Sequence, residues 1–431
     1  DPKYAQAWIK LGTVFERKKD YRKAFGNYSK AAELDPENSE YQAKLGRFYL
    51  ILAGDVEKAT EKMDLILARD KADINGLLLK AGIVLKQGNA ADAKEITRNI
   101  FEDHPDNVEN AVFLATLYTQ DKDFSDAIAV LESALKSNPG NQSLLSVLGN
   151  TLFINKDYAR SEQVWLEILD THPDVFQNHL QLALFYQKTG ESAKAEQVLR
   201  SAIAADEEDV SRKLALIEFI QQIKGIEPAI AELENIIESK RDEGSLRLAL
   251  AQLQIANKDI DGAVTTYKSA VKDFSEDETG ITSRVQLAKI YMQKEKVESA
   301  TSVIDEAAEI APNDSEVNLV KAKIAIFNKN IEQAIISLRT VIKDDPANVE
   351  AYFLLAAAHN ANNESSQAED TIARAYENNR DNIKALLPLA KYHIRNNNVA
   401  DAEKVIDDYL RLDADNYEAL AIKSSILNGK K

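Results

Sequence analysis

Apolar residues in this chain recur at steps of three and four, and the pattern restarts at a fixed interval. In AWIKLGTVFERKKDYRKAFGNYSKAAELDP (7–36), with the unit counted from Ala5, large apolar side chains fall at the fourth, seventh and eleventh places, Trp8, Leu11 and Phe15. They line one face of a helix. A second run, with Tyr28 at the twenty-fourth place, predicts a second helix antiparallel to the first. Between them lie short polar turns: KKDY (18–21), QGNA (87–90), DKDF (121–124), NKDY (155–158) and KTGE (188–191). Asp and Gly in these turns supply a capping oxygen and a left-handed backbone position. A recurring proline (Pro36, Pro105, Pro139, Pro173, Pro312, Pro346) closes the second helix, because its ring cannot continue the one before it.

Sliding the chain by 34 residues recovers this unit twelve times. The eighth place is Gly12, Gly46, Ala81, Ala115, Gly149, Ala183, Ala251, Ala288, Ala322, Ala356 and Ala390, with Ile217 the one large residue. The twentieth place is alanine throughout except for Ser161. Small residues are expected where the two helices of a unit cross closely. Two phase corrections are needed: one extra residue near Ala53-Gly54 and three near Asp277–Gly280. Repeats therefore start near 5, 39, 74, 108, 142, 176, 210, 244, 281, 315, 349 and 383, and a partial helix is expected at 417–428.

This pattern resembles the tetratricopeptide repeat (TPR), and the resemblance covers residues 1–431 as a single array. It implies an all-α fold, a right-handed α-solenoid of about twelve complete helix pairs with partial units at both ends. Each unit leaves an apolar face uncovered, so stability comes from stacking. Asp1-Pro2 lies 34 residues before Pro36 and matches the tail of a preceding unit, while NYEALAIKSSILNGKK (416–431) matches a first helix without a second. The chain is thus expected to be a segment of a longer protein. Repeat seven (210–243) departs most from the pattern, through Ile217, Pro228 at a helix start and the proline-free end SKRDEG. Two readings stand there: drift with a wider helix crossing, or a weak seam. Pro388 falls inside the first helix of repeat twelve and is expected to bend its opening turns.

Composition narrows the function. With 45% apolar and 29% charged residues, and only 15 Gly and 9 Pro in 431 positions, helix formers dominate. A net charge of −17 argues against nucleic acid as the main ligand, since phosphate binding needs a basic surface. The absence of cysteine removes disulfides and thiolate chemistry. No apolar run is long enough to span a bilayer. The five histidines follow the repeat: His104 and His172 precede closing prolines, His179 is at a packing place, and His359 and His393 share the eleventh place one unit apart. A metal site would want a third ligand; two partly buried, hydrogen-bonded imidazoles are the plainer reading. No Ser-His-Asp set, phosphate-cradling loop or paired carboxylate stands out, so neither enzyme activity nor a cofactor is expected.

The resemblance implies a concave groove built by the first helices, lined by the second, fifth, sixth, ninth and twelfth places. The carboxylate clamp of co-chaperones is not matched, because the fifth and ninth places of repeat one are Ile9 and Thr13 and no three successive units restore the set. Nor is the asparagine ladder of O-linked N-acetylglucosamine transferases, whose sixth place here holds Lys10, Lys44, Leu79, Phe113 and unlike residues thereafter. The candidate partner-binding residues are Phe113, Thr116, Asn150, Leu180, Leu184, Leu214 and Leu248, then Lys289, Lys323 and Lys391. Fifth-place residues can instead be ordinary packing. The lysines suit an acidic segment or an anionic polymer, or each pairs with a neighbouring carboxylate.

The texture of 65–89, 247–263 and 337–359 is similar to bacterial envelope TPR lipoproteins of exopolysaccharide export and PEP-CTERM sorting systems. That similarity implies a non-enzymatic, periplasm-facing scaffold; cytoplasmic placement is equally compatible with the absent cysteine. The alternative is a regulatory or substrate-docking arm of an enzyme whose catalytic domain lies outside this segment. End-to-end self-association through the partial units is a further expectation.

Overall fold

The computed structural model describes residues 4–239, 243–380 and 382–429, and these form 25 α-helices and no strand. The chain divides into two compact units, Asp1–Arg212 and Lys213–Lys431, with the division inside the helix Val210–Lys224. Consecutive helices pack on one another from Ala5–Arg17 through Ser192–Ala205 and from Ile226–Ser239 through Tyr417–Gly429, two to a repeat. The first helices of neighbouring repeats also touch, as Val108–Gln120 does Gln142–Ile154 in the first unit and Glu278–Gln293 does Ser315–Phe327 in the second. The Asp1-Pro2 tail and residues 240–242 of the SKRDEG stretch lie outside the described residues.

The turns repeat one device. A residue with positive φ follows the first helix, and in six of the turns the Asp or Asn next in sequence caps the second helix. Lys19, Lys122, Lys156, Lys258, Glu295, Lys329, Asn363 and Asn397 take the left-handed position, and Gly54, Gly88, Gly190 and Gly225 take it elsewhere. Non-glycine residues thus fill a place for which glycine was the expected occupant. The caps follow: Asp20 accepts from the Lys23 N–H, Asp157 from Arg160 and Asn330 from Gln333, at 3.1–3.3 Å. First helices are capped in the same manner, as by Asn107, Asp314 and Asn348.

The eighth and twentieth places are buried as expected. Every twentieth-place residue from Ala24 to Ala402 is at most 2% exposed. Where the eighth place is glycine, a large side chain fills the missing methyl's space. A Cβ on Gly12 would stand 2.5 Å from the Tyr28 ring, and one on Gly149 would stand 2.9 Å from Trp165. Tyr28 also donates its hydroxyl to Glu16 at 2.5 Å, and burial together with that carboxylate pushes the phenol up to about 12. Leu11, expected to be buried, is 41% exposed.

Both phase corrections have a structural form. The extra residue near Ala53 is absorbed by a π-helical turn, Tyr49–Ala53, that continues Ser39–Phe48 and ends at left-handed Gly54. The three near Asp277 add a turn to the front of the next first helix, which starts at Glu278, three residues before the expected 281. Gly280 lies in that added turn because the Phe274 carbonyl oxygen would sit 1.8 Å from any Cβ there. Pro228 falls in the first turn of Ile226–Ser239, where its missing N–H interrupts no helical bond. Ile383–Arg395 runs as one helix through exposed Pro388.

Buried polar side chains at the third or fourth place bind the loops to the helices. Gln42 donates to the carbonyls of Ala32 and Pro36, Asn178 to that of His172, and Asn318 to that of Pro312. After the proline-free loops the amide is replaced by a longer guanidinium. Arg212 reaches the Ala202 and Asp174 carbonyls, and Arg284 reaches that of Ser275. These charges are buried, yet each is hydrogen-bonded and faces a carboxylate, Asp209 and Glu306 respectively.

Candidate partner-binding surface

In most repeats a first helix packs its fourth, seventh and eleventh places into the array, Leu11 and Lys80 being exposed exceptions, which leaves the ninth place and its neighbours toward solvent. Four residues beyond the ninth, on the same helical face, lies the thirteenth. The two units treat this face differently.

In the first unit the ninth places of repeats four to six are Thr116, Asn150 and Leu184. The Thr116 hydroxyl donates to the Val112 carbonyl of its own helix at 2.7 Å, so its donor is already used. Asn150 is exposed and its amide makes no hydrogen bond among the described residues; Leu184 is 40% exposed. Phe113 and Leu180 are half-buried beside them. Ile154, at a thirteenth place, is 54% exposed, and the sequence reading missed it because the thirteenth place is not among the second, fifth, sixth, ninth and twelfth that it counted. Next to it the Phe153 ring packs against Tyr158 and Phe185, with Lys188 Nζ 5.7 Å over its face. The result is a neutral, partly apolar strip with one unengaged amide.

Earlier in the same unit, at the ninth place of repeat two, Arg47 pairs with Glu109 of repeat four. It spans repeat three, whose ninth place is Gly82 and presents no side chain there. Burial lowers the Arg47 pKa from its ordinary value.

In the second unit, half-buried Leu248 packs into the core of repeats eight and nine, and Leu214 is half-buried on Val210–Lys224. The lysines each meet a carboxylate on the next repeat. Lys289 pairs with Glu316 at 2.5 Å, Lys323 with Glu350 at 2.7 Å and Lys391 with Glu418 at 2.6 Å. Each bridge joins a ninth place to the following second place, and all six side chains are between 39% and 56% exposed. This is the pairing alternative, and an acidic partner would have to displace three glutamates to reach these ammonium groups.

The histidines do not converge on a centre. His359 Nδ1 lies 2.6 Å from Glu364 Oε2, and that hydrogen bond holds the Glu364 carboxyl below its ordinary range. His393 Nδ1 is 4.0 Å from Asp401, and burial lowers its pKa, as it does that of His179. Among the described residues no group of three or more His, Cys, Asp or Glu is placed to hold a metal ion, and no helix is long and apolar enough to cross a membrane.

Family models described as tetratricopeptide repeat match residues 5–38, 84–150, 179–211 and 319–383, and one described as a tetratricopeptide repeat-like domain matches 219–315. These are tetratricopeptide repeats. The BBSome complex member BBS4 of Bos taurus is 26% identical over 205 residues, which is 46% of this chain and 38% of that protein. The chain thus matches well under half the length of this curated relative. Among solved structures, Naa15/Naa10 bound to HypK-THB aligns over 99% of this chain and 69% of that one, at 14% identity and a TM-score of 0.52. Yeast Tom70 aligns over 99% of this chain and 96% of its own, at 17% identity and a TM-score of 0.43. At 14% identity the likeness to the Naa15 structure is one of fold. TPR proteins act as protein–protein interaction scaffolds, and the stacked first helices above are the surface such a scaffold presents.

Proposed function

We propose that this TPR chain holds a protein partner on the first-helix face of repeats four to six. The observation that carries the reading is the neutral strip of Phe113, Thr116, Asn150, Ile154 and Leu184, whose exposed apolar side chains flank an amide with no partner among the described residues. Burial of Ile154 and Leu184 by a partner contributes favourable transfer free energy, and Asn150 can both donate to and accept from partner backbone. The corresponding face of repeats nine to twelve already satisfies its lysines, so its role in this reading is to set spacing between repeats. The activity is non-enzymatic scaffolding. The setting we propose is a bacterial envelope assembly for polysaccharide export or protein sorting, and its support is the texture of 65–89, 247–263 and 337–359.

Affinity capture from native extract tests the binding surface. With Ile154→Arg and Leu184→Arg together, capture of the partner is expected to fall by at least about tenfold, as for apolar anchors at the centre of an interface. Changing Lys289, Lys323 and Lys391 to Glu is expected to leave it within about twofold, as for rim charges. The opposite outcome would move the partner to the second unit and end this reading. Fractionation of cells carrying the full-length protein tests the setting, and exclusive recovery in the cytoplasm would remove it.

A further inference from the structure

A cavity opens in the second unit between the second helices of repeats ten and eleven, Ile331–Asp344 and Ser365–Glu377, on the first helix Val349–Ala361. Its floor is buried: Ile342, Leu355, Thr371 and the His359 ring. Its rim is charged. Arg339 and Lys343, four residues apart on one helix, stand across from Arg374 on the other. Asp370 is the one carboxylate in the lining. Glu364, near this site, is already engaged by His359 and by the Asn362 amide.

Three cations share this lining with one carboxylate, a local excess of positive charge in a chain of net charge −17. Arg339 donates to the Gln367 amide oxygen at 3.3 Å, which bridges the two helices. Lys343 and Arg374 make no ion pair or side-chain hydrogen bond among the described residues. Asp370 and Arg374 are also four residues apart on one helix, yet no bridge joins them. Two guanidinium groups and an ammonium lining one recess, with the exposed Ser366 hydroxyl in the same lining, are of the donor types an oxyanion requires. The apolar floor of Ile342 and Leu355 matches a hydrocarbon side chain next to that oxyanion.

We infer that this cavity is a second binding site, which takes an oxyanion borne on a partner peptide, a phosphorylated hydroxyl or an acidic side chain, flanked by an apolar residue. It lies in the other unit and on second helices, so it stands or falls independently of the strip at repeats four to six. It also places the attraction for acidic partners at cations that are unmatched, away from the paired lysines of the first-helix face.

Three fluorescein-labelled peptides, Leu-phosphoSer-Leu, Leu-Glu-Leu and Leu-Ser-Leu, titrated against the whole chain at low salt and read by anisotropy, decide it. At least one anionic peptide is expected to bind at least about tenfold more tightly than the neutral one, as charge-assisted contacts do. That preference is expected to vanish in Arg374→Gln with Lys343→Gln and to persist in Lys391→Gln. Far-ultraviolet circular dichroism checks that the exposed substitutions leave the helices intact. A stronger response to phosphoserine identifies a phosphorylated partner, and equal responses identify an acidic one; both support the site. Equal binding of all three peptides overturns it. So does a preference that survives the double substitution, or no binding of any peptide up to about 1 mM.

Discussion

Repeats four to six and repeats nine to thirteen carry the same first-helix face with opposite chemistry. In the later repeats a ninth-place lysine meets a glutamate 27 residues on, three times: Lys289 with Glu316, Lys323 with Glu350, Lys391 with Glu418. In the earlier ones the same interval joins Thr116 to Ser143, Asn150 to Gln177 and Leu184 to Ser211, with no charge in any pair. One fold therefore supports two surface regimes. Where neighbours satisfy each other, the face is closed to new polar contacts; where they are neutral, it stays available. A further contrast lies beneath the surface. Glycine at the eighth place faces Tyr28 and Trp165 in the first unit, whereas alanines such as Ala288 and Ala356 cluster with Ile304 and Ile372 in the second.

The largest expected effect tests that packing contrast. Gly149→Ala puts a methyl 2.9 Å from Trp165 Cε2, closer than carbon contacts tolerate, and Trp165 is buried with little room to retreat. A loss of about 1–3 kcal/mol is expected, visible as faster hydrogen exchange across 142–171. Adding Trp165→Leu should give less than the sum of the two single losses. A neutral Gly149→Ala would show that small residues at this place do not report close crossing.

Charge reversal in the ladder is a smaller test. Lys323→Glu sets two carboxylates against each other across repeats ten and eleven, while the equivalent Thr116→Glu in repeat four meets only Ser143. The pair is partly exposed, so the loss is expected to be about 1 kcal/mol or less, and to shrink in high salt. Glu350→Lys in the same chain should restore it. If Lys323→Glu changes nothing at low salt, the bridges have no part in spacing the repeats.

Much of this was legible in the sequence because the repeat amplifies it. A small residue at the twentieth place of all twelve units, and capping Asp or Asn residues such as Asp20, Asn89 and Asp157, report backbone requirements that act within one unit. The lysine bridges act between units, and a reading of ninth places alone shows three lysines without their glutamates. The interval of 27 would have exposed them. The arginines that follow the proline-free loops were illegible for a different reason: nothing in the repeat marks Arg212 and Arg284 as buried, and only the fold shows the carbonyls they bind. The cationic cavity is harder still, because Arg339, Lys343 and Arg374 occupy outward places on second helices that carry no periodic signal.

The smallest test concerns the turns, where the units differ in how often glycine takes the left-handed place. The first unit has Gly54, Gly88 and Gly190 there, against Gly225 alone in the second; lysine holds it at Lys19, Lys122 and Lys156 in one, and at Lys258 and Lys329 in the other. A side chain at φ near +60° crowds its own backbone, and glycine does not. Lys156 is exposed and sits at φ +64°, so Lys156→Gly should relieve that crowding. Glycine's greater freedom in the unfolded chain opposes the gain, which leaves a net stabilisation of about 0.5 kcal/mol. Lys258→Gly should do the same in the second unit, since the turn is local and indifferent to what the face above it binds. Urea midpoints for both variants measure it. A loss at Lys156 with a gain at Lys258 would mean that the first unit uses this lysine for something its backbone does not require.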